Sequence, residues 1–405
     1  MLIVSKRYSN ITQIFLKLFS LSIFFSVISI LSNMIIQKYY DKNTVAIFFL
    51  SITLIEILSV ILPLGRVDLL NKILVKEGFE KNNWRKYVFS TKLIIFVLAP
   101  FLIIILFFFI DSQSNFLFLL IILSTIIYSY LGINNGILKS SGNFNSAILA
   151  SRVHQLVFLI LLLLFIASNY KKGINIEILL FLFFISLLIQ IFIGNRLVNR
   201  KRFNNGCNKI ETAHKNKNYI YILLNLNFII VYYADRLVLG KLDLEDLALY
   251  SVFMTFARGF DMVYASIEPI LIVKLKDKNH FSFKNMFAYF MFAIGLGLIF
   301  AYITPYIIDS FYEGKYIYSN IQIYLLSLIG VLKLFSALPN AFINGNGSFS
   351  SVYRYSFINI IVSILYLVIL ILLSSKLGIN GVLITVVLYQ FLRMLISYYL
   401  LIKHS

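Results

Sequence analysis

Apolar stretches of about 20 residues recur along the whole 405-residue chain, and this feature limits the folds open to it. A bilayer core about 30 Å thick needs about 20 apolar residues for each helical crossing. The sequence is 60% hydrophobic and only 13% charged, which leaves too little polar surface for a water-soluble protein of this length. The sequence therefore predicts an all-α integral membrane protein with no separate soluble domain.

The apolar stretches predict about twelve transmembrane helices, six in each half of the chain. The first six are predicted at 14–36, 45–64, 88–110, 116–138, 147–167 and 176–198. The second six are predicted at 219–239, 247–273, 286–308, 321–343, 357–373 and 382–402.

Positive charge is concentrated in the loops that follow even-numbered crossings. Lys72, Lys76 and Lys81 lie in the second loop, and Lys215 and Lys217 lie in the sixth. Because cytoplasmic loops of membrane proteins are enriched in Lys and Arg, this distribution predicts that both termini are cytoplasmic. The net charge of +19 is therefore interpreted as an orientation signal and as attraction to membrane lipid. No nucleic-acid partner is predicted.

Two short segments suggest that the halves of the chain are related. GNFNS at 142–146 and GSFSS at 347–351 occupy equivalent places, after the fourth and the tenth crossing. An even number of crossings separates them, so the halves are predicted to be parallel repeats around a central cavity. Chance similarity between turn-forming residues is the alternative explanation. The predicted organisation is a six-helix lobe at 1–198, a cytoplasmic basic linker at 199–218 and a second six-helix lobe at 219–405.

The most specific passage lies at the end of the seventh crossing. Residues 232–240 read YYADRLVLG, and an acidic loop separates them from the tripeptide at 249–251. NGNG at 344–347, Asn359 and LGING at 377–381 form a second pattern. These motifs resemble those of bacterial polysaccharide-lipid flippases of the multidrug, oligosaccharidyl-lipid and polysaccharide exporter superfamily. The resemblance spans the full length of the chain.

The resemblance implies a flippase rather than an enzyme, with two six-helix bundles around a cationic, water-filled cavity. The cargo it implies is an undecaprenyl-diphosphate-linked oligosaccharide repeat unit, moved across the bacterial inner membrane for O-antigen, lipopolysaccharide or capsule biosynthesis. It also implies partnership with a polysaccharide polymerase and glycosyltransferases. Ser32 and Asn33 stand in the first half where Asp235 and Arg236 stand in the second, so no paired acidic site is expected.

Ionisable side chains within the predicted crossings are candidate site residues. Each costs about 2.5–3.5 kcal/mol at mid-membrane on insertion scales, so each is expected to face water or a partner. The five residues predicted at this depth are Glu56, Arg258, Asp261, Lys333 and Arg393.

A lipid diphosphate needs cations to carry its charge through a low-dielectric region. Arg66, Arg258 and Lys333 are predicted to bind it, because Arg offers a planar fork of donors and Lys offers a point charge. Glu56 and Asp261 are the candidates for proton or sodium coupling, because a carboxylate in a cavity can change its protonation as water access alternates.

Two charged pairs have a structural alternative. Arg258 and Asp261 are three residues apart and share one helical face, so they are expected to pair when no substrate is bound. Asp235 and Arg236 lie near the outer end of the seventh crossing, where the resemblance favours a structural or gating role. The alternative for this second pair is a solvated helix end.

Other function classes agree less well with the sequence. A cation-coupled multidrug exporter of the same superfamily would need acidic groups in an apolar cavity, whereas here the mid-membrane cations outnumber the acids. A membrane-embedded polymerase would need a convergent acid-base site or a large outer loop, and the sequence shows neither. Cys207 and His154 lack the neighbours of a metal site, and no phosphate-binding loop is present. No metal or cofactor is predicted.

Overall fold

The computed structural model is made of α-helices and one 3-10 turn over the residues it describes, and no strand occurs within them. The described ranges are 2–80, 83–110, 114–168, 175–200, 218–274, 283–346 and 349–404. The helices are α1 (Leu2–Tyr39), α2 (Lys42–Ile61), α3 (Arg66–Glu77), α4 (Trp84–Leu98), α5 (Leu102–Phe109), α6 (Asn115–Ser140), α7 (Phe144–Ser168), α8 (Ile176–Arg200), α9 (Asn218–Leu242), α10 (Leu244–Lys274), α11 (Phe283–Tyr312), α12 (Asn320–Asn346) and α13 (Phe349–His404).

Nine helices in the described ranges are long and apolar enough to cross a membrane, and the last of these spans is 43 residues long. That span belongs to α13, which breaks at Gly378, where φ is 55° and ψ is −136°. Tyr366 and Tyr389 pack across the break with ring centroids 4.9 Å apart, so α13 is a hairpin of two arms. A Cβ on Gly381 would overlap the backbone of Leu373, which shows how tightly the chain reverses. The predicted eleventh and twelfth crossings are these two arms.

The third predicted crossing is not one continuous helix. It consists of α4, a 3-10 turn at Ala99–Phe101 and α5. Pro100 lies in that turn, and proline interrupts a helix because it lacks an N–H group and clashes with the preceding turn. The eighth crossing corresponds to α10, which has 31 residues. With these corrections, each of the twelve predicted crossings has its helix, and the predicted all-α membrane fold is confirmed.

Helix α3 is too short to cross a bilayer, because its 12 residues span about 18 Å. Leu69, Leu70, Ile73 and Leu74 form its buried side. The spacing of these residues follows the helical repeat, so α3 is an amphipathic helix between the second and third crossings.

The chain divides into two compact units. The first unit comprises Met1–Ser32 and Ile47–Ile229, and the second comprises Asn33–Ala46 and Ile230–Ser405. Residues 201–217 of the predicted linker, including Cys207, lie outside the described residues, as do Gly347 and Ser348 of the second repeat segment.

Each unit has an aromatic core. In the first unit, the Phe48 ring stacks on Phe158 with centroids 6.0 Å apart and meets Phe183 edge-on at 6.5 Å. In the second unit, Phe260 and Leu334 are buried against each other in one apolar cluster. Van der Waals packing of this kind holds membrane helices together, because lipid gives little hydrophobic driving force between them.

Candidate functional site

Arg66 is held in a fixed orientation in the first unit. It begins α3 directly after Leu64 and Gly65, which both adopt left-handed backbone conformations with φ of 50° and 69°. Its Nε donates to Thr91 Oγ1 at 3.0 Å and its Nη2 donates to Ser90 Oγ at 2.7 Å. The guanidinium also lies 4.3 Å from the centre of the Tyr87 ring.

The three groups that hold Arg66 belong to one face of α4. Tyr87, Ser90 and Thr91 are spaced by three and four residues, which places them together on that face. The side-chain hydroxyls and the ring fix the orientation of the guanidinium, whose positive charge can attract an anion.

The two acidic residues near Arg66 in the sequence have different environments. Asp68 on α3 accepts a hydrogen bond from Asn225 Nδ2 of α9 at 3.1 Å. Glu56 is half-buried within α2, and no residue in the described part of the chain donates a hydrogen bond to its carboxylate. Glu56 is therefore a membrane-embedded carboxylate whose oxygens are open to a proton or a cation.

The second unit contains an ion pair between two helices. Lys333 Nζ of α12 bonds to Asp261 Oδ1 of α10, and the ammonium lies 5.7 Å from the centre of the Tyr232 ring of α9. The Lys333 side chain is 18% exposed and that of Asp261 is 45% exposed, so the carboxylate is the more accessible partner. Arg258 is half-buried one turn before Asp261 on α10.

This pairing differs in part from the sequence prediction. The sequence predicted an ion pair between Asp261 and Arg258 on the same helix. In the structure, Asp261 pairs with Lys333, which lies 72 residues away on another helix. Arg258 nevertheless lies three residues before Asp261 on α10, so the two share one helical face. Lys333 and Asp261 pair with each other, and Arg258 adds a second cation to the face of α10 that carries Asp261.

Asp235 occupies a buried position in the same unit. It is 4% exposed, and its Oδ2 accepts a hydrogen bond from the hydroxyl of Tyr250 on α10. Its Oδ1 accepts from the backbone N–H of Arg236 at 2.8 Å, and the Arg236 guanidinium lies 5.8 Å from the centre of the Tyr233 ring. A solvated helix end is therefore the wrong interpretation for Asp235, which is a buried and hydrogen-bonded carboxylate.

The segments that carry the family resemblance meet in the second unit. Asp246, in the first turn of α10, accepts a hydrogen bond from the backbone N–H of Ile379 at 2.9 Å. Ile379 begins the second arm of α13, so Asp246 caps the free end of that arm. Asn380 accepts a hydrogen bond from Gln322 Nε2 of α12 at 2.9 Å. The LGING motif is thus the turn of a hairpin held by two side chains from other helices.

The end of α1 forms a polar cluster that the sequence analysis missed. Gln37 is fully buried, and its side chain bonds to Thr255 Oγ1 at 3.0 Å and accepts from Tyr312 at 2.7 Å. The ammonium of Lys315 donates to the carbonyl oxygens of Gln37, at 2.5 Å, and of Tyr40. A cation at these carbonyls stabilises the carboxyl end of α1, where the helix dipole is negative.

The surroundings of Lys315 lower the pKa of its ammonium group. Burial, together with the charge of Lys42, lowers the pKa of Lys315 to about 8, and the negative charge of Asp41 opposes this shift. Lys38 and Glu313 form an exposed ion pair at 3.0 Å beside the cluster. A lysine in a short loop gives no sequence signal of its own, because its partners are backbone groups more than 270 residues away.

No metal centre is formed by the residues that the structure describes, since no group of three His, Cys, Asp or Glu side chains occurs among them. His154 is buried in the first unit, where its backbone N–H lies 2.5 Å from Gln190 Oε1. A single histidine in such a setting is a packed side chain of the helix bundle.

The chain has the fold of a known class of membrane transporters. No protein-family model matches it, and no curated protein matches it. The lipid II flippase MurJ, in an inward closed conformation, is similar with a TM-score of 0.69 at 18% identity, over 94% of this chain and 87% of that chain. An inward-facing multidrug resistance MATE family transporter of the MOP superfamily has a TM-score of 0.65 at 15% identity, over 93% and 92%.

A third similar structure is a MOP superfamily transporter from Pyrococcus furiosus, for which a reversed polarity of the binding pocket suggests a different function. Its TM-score is 0.58 at 15% identity, over 94% of this chain and 91% of that chain. The protein is thus a multi-pass membrane protein with a transporter fold. That fold is shared with solved transporters of the MOP superfamily, and the two-bundle membrane fold implied by the motifs agrees with it.

Proposed function

We propose that this protein is a flippase that moves undecaprenyl-diphosphate-linked oligosaccharide repeat units across the bacterial inner membrane by alternating access. Its product would supply O-antigen, capsule or another surface polysaccharide, with a polymerase and glycosyltransferases as partners. The basic loops support a cytoplasmic position for both termini. The similarity in fold to a lipid II flippase supports a lipid-linked cargo.

The observation that carries the proposal is the position of Lys333, a half-buried ammonium within α12 that Asp261 and the Tyr232 ring hold. An ammonium in the membrane needs a partner, and Asp261 and the Tyr232 ring supply one when no cargo is present. A diphosphate carries more negative charge than a single carboxylate, so it can replace Asp261 as the partner of Lys333 and also bind Arg258. Arg66 would provide an oriented guanidinium in the first unit.

The second candidate is a cation-coupled multidrug exporter, which the similarity to MATE transporters favours. An exporter of cationic drugs needs an acidic binding site, whereas Asp261, the carboxylate at this place, is already paired with Lys333. The polarity of the binding pocket is also the feature associated with a different function in the Pyrococcus furiosus transporter. The charges of these side chains thus favour an anionic cargo over a cationic drug.

The proposal includes coupling to a proton or sodium gradient. Asp235 is a buried carboxylate bonded to the Tyr250 hydroxyl, and Glu56 and Asp261 are carboxylates within α2 and α10. A carboxylate in such a place can bind a proton or a cation on one side of the membrane and release it on the other. Transport that is indifferent to both gradients would remove coupling from the proposal.

The direct test is a flipping assay in proteoliposomes with undecaprenyl-diphosphate-linked oligosaccharide. We expect the wild-type protein to move the lipid to the opposite leaflet, and we expect Arg258→Ala and Lys333→Ala to lose most of this activity. Lys376→Ala removes a cation from an exposed position and is the matched control. Transport of cationic drugs with no flipping of any lipid-linked sugar would instead support the exporter.

A further inference from the structure

A second group of cations lies in the first unit, away from the residues considered above. Arg152 is half-buried in α7, and Lys139 is exposed in the last turn of α6. Arg152 Nη1 donates to the Ser22 carbonyl oxygen at 3.3 Å and to Ser26 Oγ at 3.1 Å, both on α1. Lys139 and Arg152 lie close enough for their charges to repel each other.

Neither cation has an acidic partner among the residues described. The ion pairs seen in those residues are Lys38 with Glu313, Lys42 with Glu245, and Lys333 with Asp261, and all belong to the second unit. Bringing two like charges together in a membrane protein is unfavourable unless an anion compensates them. Lys139 and Arg152 therefore lie near each other, and neither is paired with a carboxylate among the residues that the structure describes.

The hydrogen-bonding capacity of the pair is largely unused. Only Nη1 of Arg152 bonds to a described residue, which leaves its Nε and Nη2 donors open. Lys139 Nζ likewise makes no hydrogen bond within the described ranges. Arg66 differs, because its Nε and Nη2 already bond to hydroxyl groups of α4. Arg152 thus has the fork of donors that a phosphate group can occupy.

A neutral polar side chain lies on the same helix face as Arg152. Gln155 follows Arg152 by three residues, so the two share one face of α7. Its Oε1 is buried and has no hydrogen-bond partner. An amide oxygen of this kind can accept a hydrogen bond from a hydroxyl group on the same ligand.

We propose that Lys139 and Arg152 form a binding site for the phosphate group of a membrane-anchored phosphate ester, with Gln155 beside it. Arg152 binds two phosphate oxygens through Nε and Nη2, and Lys139 supplies the second positive charge. This site deepens the proposed function and rests on it, because a lipid diphosphate has the required charge and anchor. A phospholipid headgroup shares that chemistry.

The test is a binding titration of the purified full-length protein in detergent with farnesyl diphosphate, followed by microscale thermophoresis. Farnesol, which lacks the phosphates, serves as the ligand control. We expect Arg152→Gln to weaken binding about tenfold or more, and Arg152→Lys to retain part of the affinity. Arg196→Gln removes an exposed arginine of α8 in the same unit and is expected to bind like the wild type.

Lys139→Gln is a second variant whose folding is not at risk, because Lys139 is exposed. Unchanged affinity in both Arg152→Gln and Lys139→Gln would overturn the site, and so would equal binding of farnesol. Competition with phosphatidylglycerol identifies the source of the phosphate. If phosphatidylglycerol displaces farnesyl diphosphate at concentrations similar to those at which farnesyl diphosphate binds, the site is assigned to phospholipid headgroups. If phosphatidylglycerol does not displace it, the site is assigned to isoprenyl diphosphates.

The flipping assay separates failure of this site from failure of the proposed function. If farnesyl diphosphate binding depends on Arg152 but no lipid-linked sugar is flipped, the proposed function fails and the site stands. If lipid-linked sugar is flipped and bound equally well by Arg152→Gln, the site fails and the proposed function stands.

Discussion

Replacing Gly378 with alanine is expected to destabilise the protein through the hairpin of α13. Gly378 has φ of 55° and ψ of −136°, a conformation that residues with a Cβ rarely adopt. An added Cβ would lie 2.6 Å from Asp246 Oδ2, the atom that accepts the hydrogen bond from Ile379. The substitution therefore strains the backbone and displaces the side chain that caps the second arm.

Backbone strain and the lost hydrogen bond together determine how far the free energy of unfolding falls. Backbone strain of this kind costs about 1–3 kcal/mol. Losing a hydrogen bond to a charged group costs about 1.5–3 kcal/mol, and the half-buried position of Asp246 reduces this toward about 1 kcal/mol. We therefore expect Gly378→Ala to lower the free energy of unfolding by about 2–4 kcal/mol.

The loss can be measured by equilibrium unfolding in mixed micelles of increasing SDS content, followed by circular dichroism. Gly295→Ala is the matched control, because Gly295 lies within α11 and an added Cβ there has nothing within 4 Å. Alanine favours a helix over glycine by about 1 kcal/mol, so this control is expected to be neutral or slightly stabilising.

A double-mutant cycle tests the physical reasoning. Asp246→Ala removes the atom that the new Cβ would meet, so Gly378→Ala is expected to cost less in that background, leaving mainly the backbone strain. Equal stability of Gly378→Ala and Gly295→Ala would refute the argument. Full additivity of Gly378→Ala and Asp246→Ala would refute the part that concerns the cap.

Three further predictions concern other polar groups. Gln37→Leu is expected to lower the free energy of unfolding by about 2–4 kcal/mol, since it leaves Tyr312 without its acceptor, and Gln37→Glu serves as the control that retains one. NMR of ¹³C-dimethylated protein, assigned with Lys315→Arg, should show Lys315 titrating near pH 8, whereas titration near its ordinary value of 10.5 would contradict the effect of burial. Between these two pH values the unfolded chain binds more protons at Lys315, so the contribution of this group to stability should rise with pH. Asp235→Asn is expected to abolish any dependence of flipping on a proton or sodium gradient, measured in vesicles, and a retained dependence would exclude Asp235 as the coupling group.

The crossings could be predicted from the sequence, whereas the partners of the charges could not. Apolar length is a local property, so each crossing is visible as a stretch of about 20 residues. The partner of Asp261 depends on how α10 and α12 are aligned, and no local pattern encodes that alignment. Sequence spacing predicts only partners on the same helix, and Arg258 is the cation that lies three residues from Asp261.

Some missed features did have a sequence signal. Pro100 within the third apolar stretch signals a break, because proline cannot continue a helix without losing a hydrogen bond. Arg152 lies well inside the fifth predicted crossing, where its cost should have made it a candidate as readily as Lys333. Lys315 had no such signal, because a lysine in a short loop is ordinary until the end of α1 is known to lie beside it.

The two units present their cations to a ligand in different ways. Lys333 is bound to Asp261, so an incoming phosphate must displace a carboxylate, whereas Arg152 gives up at most a carbonyl oxygen and a hydroxyl. Asp261→Asn removes the competing charge and keeps the size of the side chain. We therefore expect Asp261→Asn to bind farnesyl diphosphate about tenfold more tightly than the wild type, and we expect Lys333→Ala to cancel this gain.

The measurement is the same thermophoresis titration, made on the two single variants and on the Asp261→Asn, Lys333→Ala double variant. If Asp261 only holds Lys333 in place, its removal lets the lysine move and affinity falls instead. The sign of the change therefore decides whether the ion pair competes with an anionic cargo or is a fixed part of the second unit. A gain that persists without Lys333 would show that Asp261 acts by repelling the anion and not by occupying the lysine.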